Sequence, residues 1–367
     1  MNISIKTFYL LPIVLLMVFA VQAQETDSSK KRAHLFAATI ISRSIETNWS
    51  FGAGGSFTFY TARKKDSSTR TSSINFLGTY SLRKQFFFTI NGPVFFPGEH
   101  YILESRLSYS SYPDRFWGLG NNTSNSQEEP YSFSQYYIYL HGKRLLGRRL
   151  FAGISYEFQR VIELEKVDGG LFDIQNIPGR NPYQVSGLGF SFAWDKRNNA
   201  FWPVKGHLFS LIFTHFSPII LSDHRYNNII ADMRLFSKIS KQHIVALQAY
   251  GMLNMGDDVP IRSLASLGGA DKMRGYFNGR YRDQHLMNLQ AEYRMHLFRR
   301  FSAVGFCGIG DVAGKNSTLS FNKLKYSFGG GLRFAIRRNE KQHIRLDYGF
   351  GRGKENRGFY LQFGEAF

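Results

Sequence analysis

Cysteine is nearly absent: Cys307 is the one thiol in 367 residues. A lone cysteine excludes an internal disulfide and a cysteine-based zinc site, so Cys307 reads as a small apolar side chain. No window past the N-terminus is long and apolar enough for a membrane-spanning helix, which excludes a helical membrane protein. Carboxylates are scarce beside cations, 27 Asp and Glu against 46 Lys and Arg, a net charge of +19. The excess is spread along the chain rather than clustered. Internal repeats, linkers and low-complexity segments are missing. So are the P-loop, the dinucleotide fingerprint, HExxH and GxSxG; no cofactor, no metal and no catalytic residue is expected.

What is present begins with an export pattern. Lys6 supplies a positive end, Phe8 to Ala20 an apolar stretch, and Val21-Gln22-Ala23 suits cleavage before Gln24, so residues 1–23 read as a signal peptide. Residues 24–33 are polar and are expected to be disordered. An exported chain is not expected to meet nucleic acid, the usual partner of so basic a composition. Anionic lipid headgroups or lipopolysaccharide, and counter-charges inside the fold, are expected instead.

Phe (35), Tyr (20) and Gly (35) are abundant. Many aromatics without long apolar runs suit strands that show lipid on one face only. Alternation predicts sixteen strands: 34–45, 50–63, 70–82, 84–92, 101–111, 130–143, 149–162, 184–196, 205–217, 225–239, 242–254, 284–297, 300–311, 324–337, 341–350 and 357–367. An even count suits a closed bacterial barrel, and the long connections (112–129, 163–183, 255–283, 312–323) all fall at one end, as outer loops do. The all-β expectation is a sixteen-stranded antiparallel transmembrane barrel over 34–367.

The most informative stretch is Gly268 to Leu297. From Met287 to Leu297, Met287, Leu289, Ala291, Tyr293, Met295 and Leu297 share one face, and Asn288, Gln290, Glu292, Arg294 and His296 the other. A face with a carboxylate, a guanidinium and an imidazole needs water or ion pairs. The preceding loop is basic (Lys272, Arg274, Arg280, Arg282) and centres on Arg274-Gly275-Tyr276. Its guanidiniums need partners, and Glu292 is the nearest candidate in sequence.

A GG…RGY loop followed by an AExR strand resembles the BamA/TamA-like outer-membrane insertase superfamily, the bacterial surface antigen family. Four further stretches are similar to it. Asp195, Arg197, Asn199, Pro203 and Gly206 match a DxRxNxxxPxxG turn, with Trp202 expected at the periplasmic interface. Gly329-Gly330-Gly331-Leu332-Arg333 and Ile344-Arg345-Leu346-Asp347-Tyr348-Gly349 look like strands near the end of the family's barrel. The terminal Phe359, Leu361, Phe363 and Phe367 look like the signal read by the barrel assembly machinery, and Glu365 shares their lipid-side parity. The resemblance implies a loop folded into the lumen and locked by Arg274, Gly275, Tyr276 and Glu292. Where the family places a second carboxylate for the loop arginine this chain has Gly308, and Asp311 has the wrong parity to replace it. Arg274 is therefore expected to pair with Glu292 alone.

The implied function is assistance in inserting or translocating proteins, or lipids, across the outer membrane. The family's periplasmic POTRA domains have no room ahead of residue 34, so a separate periplasmic partner is expected. Glycines near both ends (Gly52, Gly54, Gly55; Gly349, Gly351, Gly353) would loosen a seam between first and last strands. A passive solute pore is the alternative. A protease using Asp223-His224 and Asp257-Asp258 is a weaker one, since adjacent acids in loops are normally solvated. The polar runs at 121–126 and 174–177 read as turn chemistry and nothing more.

Overall fold

A computed structural model describes residues 33–61, 69–199, 202–315, 323–337 and 342–367. The expected signal peptide and nearly all of the polar segment after it lie outside the described residues. The first nine strands are β1 (Ala33–Ser44), β2 (Asn48–Phe59), β3 (Ser72–Ser81), β4 (Phe86–Phe95), β5 (Tyr101–Phe116), β6 (Glu129–Gly147), β7 (Leu150–Glu165), β8 (Tyr183–Asp195) and β9 (Gly206–Phe216). There follow β10 (Tyr226–Lys238), β11 (His243–Met255), two three-residue strands β12 (Ala265–Leu267) and β13 (Tyr281–Asp283), then β14 (His285–Phe298), β15 (Phe301–Ala313), β16 (Lys325–Arg337), β17 (Gln342–Phe350) and β18 (Arg357–Phe363).

Sixteen of these close into one antiparallel barrel in sequence order, β11 pairing with β14 across the longest loop. β12 and β13 form a separate hairpin inside that loop. The sequence treats 255–283 as one loop because three-residue strands carry no readable period.

Alternation decides which face goes where. Along β14, Leu286, Asn288, Gln290, Glu292 and Arg294 are buried while Leu289 and Tyr293 stand exposed. Phe51, Ile154, Phe190, Phe192, Leu211 and Phe328 are likewise exposed on other strands. An outer belt of this size is untenable in water and natural in hydrocarbon. The inward face carries the charges. The long connections gather at the end that membrane barrels turn outward, and turns such as 299–300 at the other.

The sequence expectation misses the end of the last strand. β18 stops at Phe363 rather than continuing to 367. Gly364 takes a left-handed φ of +79°, and its N–H donates to the carbonyl of His343 at 2.9 Å. That turn breaks the parity count. Glu365 points inward, buried on Arg333, and Phe367 packs inside against Phe236 and Ala246. Trp202 is also buried rather than interfacial, its ring 4.3 Å from His343 and 4.9 Å from the Arg294 guanidinium.

Candidate functional site

The loop between β11 and β14 returns into the barrel mouth and rests on the inner faces of the last strands. Arg274 is 1% exposed. It donates to Glu292 Oε1 at 2.6 Å and to Asp347 Oδ2 at 2.8 Å. Its second carboxylate partner therefore exists, contrary to the expectation of Glu292 alone, and comes from β17. The guanidinium also lies over the Phe306 ring, 3.6 Å from its centroid, so the planar face left without hydrogen bonds meets π density. At Gly308 the space a side chain would fill is bordered by Met273 Sδ, 3.3 Å from an added Cβ. Loop residue and strand glycine fit each other there.

Glu292 and Asp347 are shared. Arg294 bonds Glu292 through Nε at 2.9 Å, while Arg333 bonds Asp347 and, through Nε, Glu365 at 2.7 Å. Three guanidiniums thus face three carboxylates, all with side chains at most 3% exposed. Equal numbers matter, because a lone buried charge costs several kcal/mol. The glycine run in β16 makes room: a Cβ on Gly331 would collide with Asp347 Oδ1.

The loop backbone docks as tightly. Gly275 has φ +112° and donates its N–H to Tyr360 Oη at 2.9 Å. Tyr276 is fully buried, its hydroxyl donating to the Tyr326 carbonyl at 3.0 Å and accepting from Arg352 N at 2.7 Å. Tyr360 ties the loop to the final strand. The outward alternation of Phe359 and Leu361 does not mark it. A hydroxyl on the inward parity was the available signal.

Further out, the loop's other cations find neutral and acidic receptors. Arg282 donates to Tyr131 Oη at 2.7 Å and to Asp114 Oδ2 at 3.0 Å. Arg280 donates to Thr123 Oγ1 at 2.7 Å and Asn125 Oδ1 at 2.6 Å. The polar run at 121–126 therefore receives the loop, which corrects its reading as turn chemistry alone. Gln175 in the second such run accepts from Leu119 N at 2.9 Å.

Glu46, in the turn between β1 and β2, accepts from Asn278 N at 2.8 Å. Burial raises its carboxyl above the ordinary carboxylate range. The folded barrel then holds that proton more tightly than the unfolded chain, so the group's contribution is largest in acid and falls as pH climbs through the raised value. Glu46→Gln is expected to flatten this dependence. Its unfolding midpoint, read by the temperature-dependent gel shift of folded barrels, should change less than wild type's between about pH 4 and 7.

At the inner end, the DxR turn closes on itself, Arg197 Nε and Nη2 reaching Asp195 at 2.9 and 3.0 Å. Asn199 accepts from Trp202 N at 2.8 Å, and Gly206 takes φ +103° to begin β9. Arg70 adds a bond to Asp195 at 3.2 Å and reaches Glu99 at 2.9 Å. Asp223, His224, Asp257 and Asp258 do share one outer cavity of about 750 Å³. All three carboxylates are engaged by neighbours: Asp223 by Gln184 N at 2.7 Å, Asp257 by Lys315 at 2.6 Å and Asp258 by His224. His224 meets Asp258 at 2.8 Å. Among the described residues no group of three or more His, Cys, Asp or Glu is placed to hold a metal ion.

The seam is the second feature of note. β1 and β2 share twelve register pairs. β1 and β18 share one, Arg43↔Leu361. Beside it the Arg43 guanidinium lies 5.3 Å from the Trp49 ring centroid and 5.8 Å from that of Phe359. Among the described residues no further register pair joins β1 to β18.

This architecture has close parallels. In fold the chain is similar to BamA from Haemophilus ducreyi lacking POTRA domains 1–3, with a TM-score of 0.58 and 11% identity, covering 91% of this chain and 70% of that one. It is similar to CdiB from Escherichia coli (TM-score 0.60, 11% identity, 93% of this chain and 64% of that one). CdiB from Acinetobacter baumannii compares at 0.59 and 12%, covering 92% and 60%. The chain thus spans about two thirds of those structures' lengths. At such identities the likeness speaks for the fold alone. No curated protein sequence matches the chain. The Omp85 superfamily domain matches residues 16–367. Barrels of that superfamily are outer-membrane proteins, generally non-enzymatic insertases or transporters. The chain belongs to the Omp85 superfamily.

Proposed function

We propose that this barrel assists insertion or translocation of proteins, or of lipids, across the outer membrane, in concert with a separate periplasmic partner. One observation carries the reading: the seam, where a single register pair joins β1 to β18. Unpaired N–H and C=O groups in hydrocarbon are costly, so the edge of β1 is poised to accept a strand from another chain by backbone pairing. In the same reading residues 1–23 direct export and outer-membrane lipid and lipopolysaccharide surround the barrel. Phe359, Leu361, Phe363 and Phe367 present the chain to the assembly machinery during its own biogenesis.

The test is to lock the seam. In a Cys307→Ala background, an Arg43→Cys/Leu361→Cys disulfide is expected to abolish acceleration of client-barrel folding into liposomes, and reduction to restore it. Equal acceleration locked and reduced overturns the proposal. So does wild-type protein that neither accelerates any client nor co-purifies with a periplasmic partner.

A passive pore is favoured by a different observation, an inner cavity of about 920 Å³ lined by Arg106, Glu157, Tyr137 and Asn228 among others. Planar-bilayer recording separates the two. A pore conducts steadily and equally in wild type and Arg274→Ala, whereas a barrel closed by its loop conducts in Arg274→Ala and not in wild type.

A further inference from the structure

We propose that the inner end of the barrel carries a binding surface for anionic phospholipid headgroups, built by the cations of the turns from 148–149 round to 299–300. Those turns join β6 to β7, β8 to β9, β10 to β11 and β14 to β15. The strands concerned, β6 to β11 and then β14 and β15, form one unbroken arc of the wall that does not include β1 or β18. Lipid binding there goes beyond the insertase reading and does not rest on it.

One sign of charge lines that arc. Arg148, Arg149, Lys196, Lys205, Lys241 and Arg299 are all exposed. Among the described residues the acidic side chains of this end's turns and of the C-terminal tail, Glu99, Asp195 and Glu365, are turned inward and at most 11% exposed. The outer end is mixed: Asp168, Asp257 and Asp271 stand well exposed among its cations. Backbone conformation adds a second observation. Arg148 has φ +49°, Arg149 +66° and Arg299 +49°, the left-handed region in which Asn and Gly are the ordinary occupants of a two-residue hairpin turn. Arg149 is accounted for by Glu99, 2.5 Å away. Arg148 and Arg299 form no ion pair among the described residues, so their charges point to an anion outside the chain.

Height on the wall selects the anion. Arg299-Arg300 sits between Phe298 and Phe301, both exposed, with ring centroids 5.3 Å apart. Trp194, exposed on the lipid side, donates its Nε1–H to the Arg148 carbonyl at 3.3 Å, and the Lys196 ammonium lies 4.7 Å from its ring centroid. One indole thus gathers cations from two adjacent turns. Aromatic side chains so placed mark the boundary between hydrocarbon and headgroups. A two-residue turn reaches little beyond that boundary, so its cations stand at the depth of the lipid phosphates, where anionic headgroups attract them most. The arc also follows the wall instead of covering the mouth of the lumen. Lipids pack along such a line, whereas a globular partner needs its contacts gathered in one patch.

The test uses the full barrel in phosphatidylcholine vesicles with and without phosphatidylglycerol. After mild detergent extraction from the mixed vesicles, wild type is expected to retain phosphatidylglycerol several-fold above its bulk share. Lys196→Gln, Lys205→Gln and Lys241→Gln combined should bring the retained share close to bulk, with the gel shift confirming a folded barrel. Arg148→Gly with Arg299→Gly removes two cations and their backbone strain together. Its unfolding midpoint should cross that of wild type: no lower in pure phosphatidylcholine, lower once phosphatidylglycerol is present. Retention at the bulk share in wild type, or equal retention in wild type and the lysine variant, overturns lipid binding and leaves the arc to an acidic protein. A glycine variant whose offset from wild type is the same in both lipids overturns it too, since the arginines would then act on the turns alone.

Discussion

Asp347→Ala is expected to destabilise the barrel by about 3–5 kcal/mol, the range for removing one member of a buried ion pair. The carboxylate serves two guanidiniums, those of Arg274 and Arg333, both at most 1% exposed. Without it three cations share two carboxylates in a space with little water. Arg274→Ala makes the opposite imbalance and should cost a similar amount, less whatever the freed loop regains in mobility. The double variant restores two against two. Its cost is expected to fall short of the sum of the singles by at least about 1 kcal/mol, the signature of residues in direct contact. Urea titration followed by the gel shift of folded barrels measures all three. Strict additivity would mean that Arg274 and Asp347 are not partners in the membrane-embedded protein.

The loop side of that pair was legible in the sequence, and the strand side was not. A period of two is a local property, so the polar face of β14, with Glu292 and Arg294 on it, can be read residue by residue. The same holds for the sixteen strands and, through their alternation, the closed barrel. Asp347 is another matter. It lies 73 residues beyond Arg274, on a strand two removed from β15, where the family pattern would have put a carboxylate. Nothing in spacing along a chain says that a position vacated at Gly308 is served across the lumen from β17. The tail defeated parity counting for a related reason. Counting assumes that a strand continues, and one glycine at 364 reverses every face after it. Thr123 and Asn125 were missed because a loop receptor for Arg280 needs only acceptors at the right place, and polar loops have no period to reveal which acceptors those are.

Gly349→Ala is expected to open the barrel without breaking it. At this point the loop and β17 touch backbone to backbone. A Cβ on Gly349 would stand 2.6 Å from the Arg274 carbonyl carbon and 2.8 Å from Gly275 N, and one on Gly275 would stand 2.7 Å from the Phe350 carbonyl carbon. Neither backbone can swing aside as a side chain would. Gly275 also has φ +112°, so alanine there strains the loop's own conformation, and the result would mix two causes. Gly349 lies in a regular strand, and alanine fits its conformation. One methyl group is enough to push the RGY segment off its seat, lengthening the Arg274 bonds and the Gly275–Tyr360 bond together. The barrel's ladders are untouched, so the variant should still show the gel shift of a folded barrel. Its loop should become protease-sensitive around Arg280, which would pull away from its receptors Thr123 and Asn125 in the connection between β5 and β6. In planar bilayers the variant is expected to conduct in long openings where wild type is largely closed. Gly308→Ala is the control, since its nearest contacts, at 3.3 Å and beyond, include the flexible Met273 side chain and need shift by only a few tenths of an ångström. If Gly349→Ala and Gly308→Ala conduct alike, the loop is not what closes the lumen, and the role assigned to Arg274 falls with it.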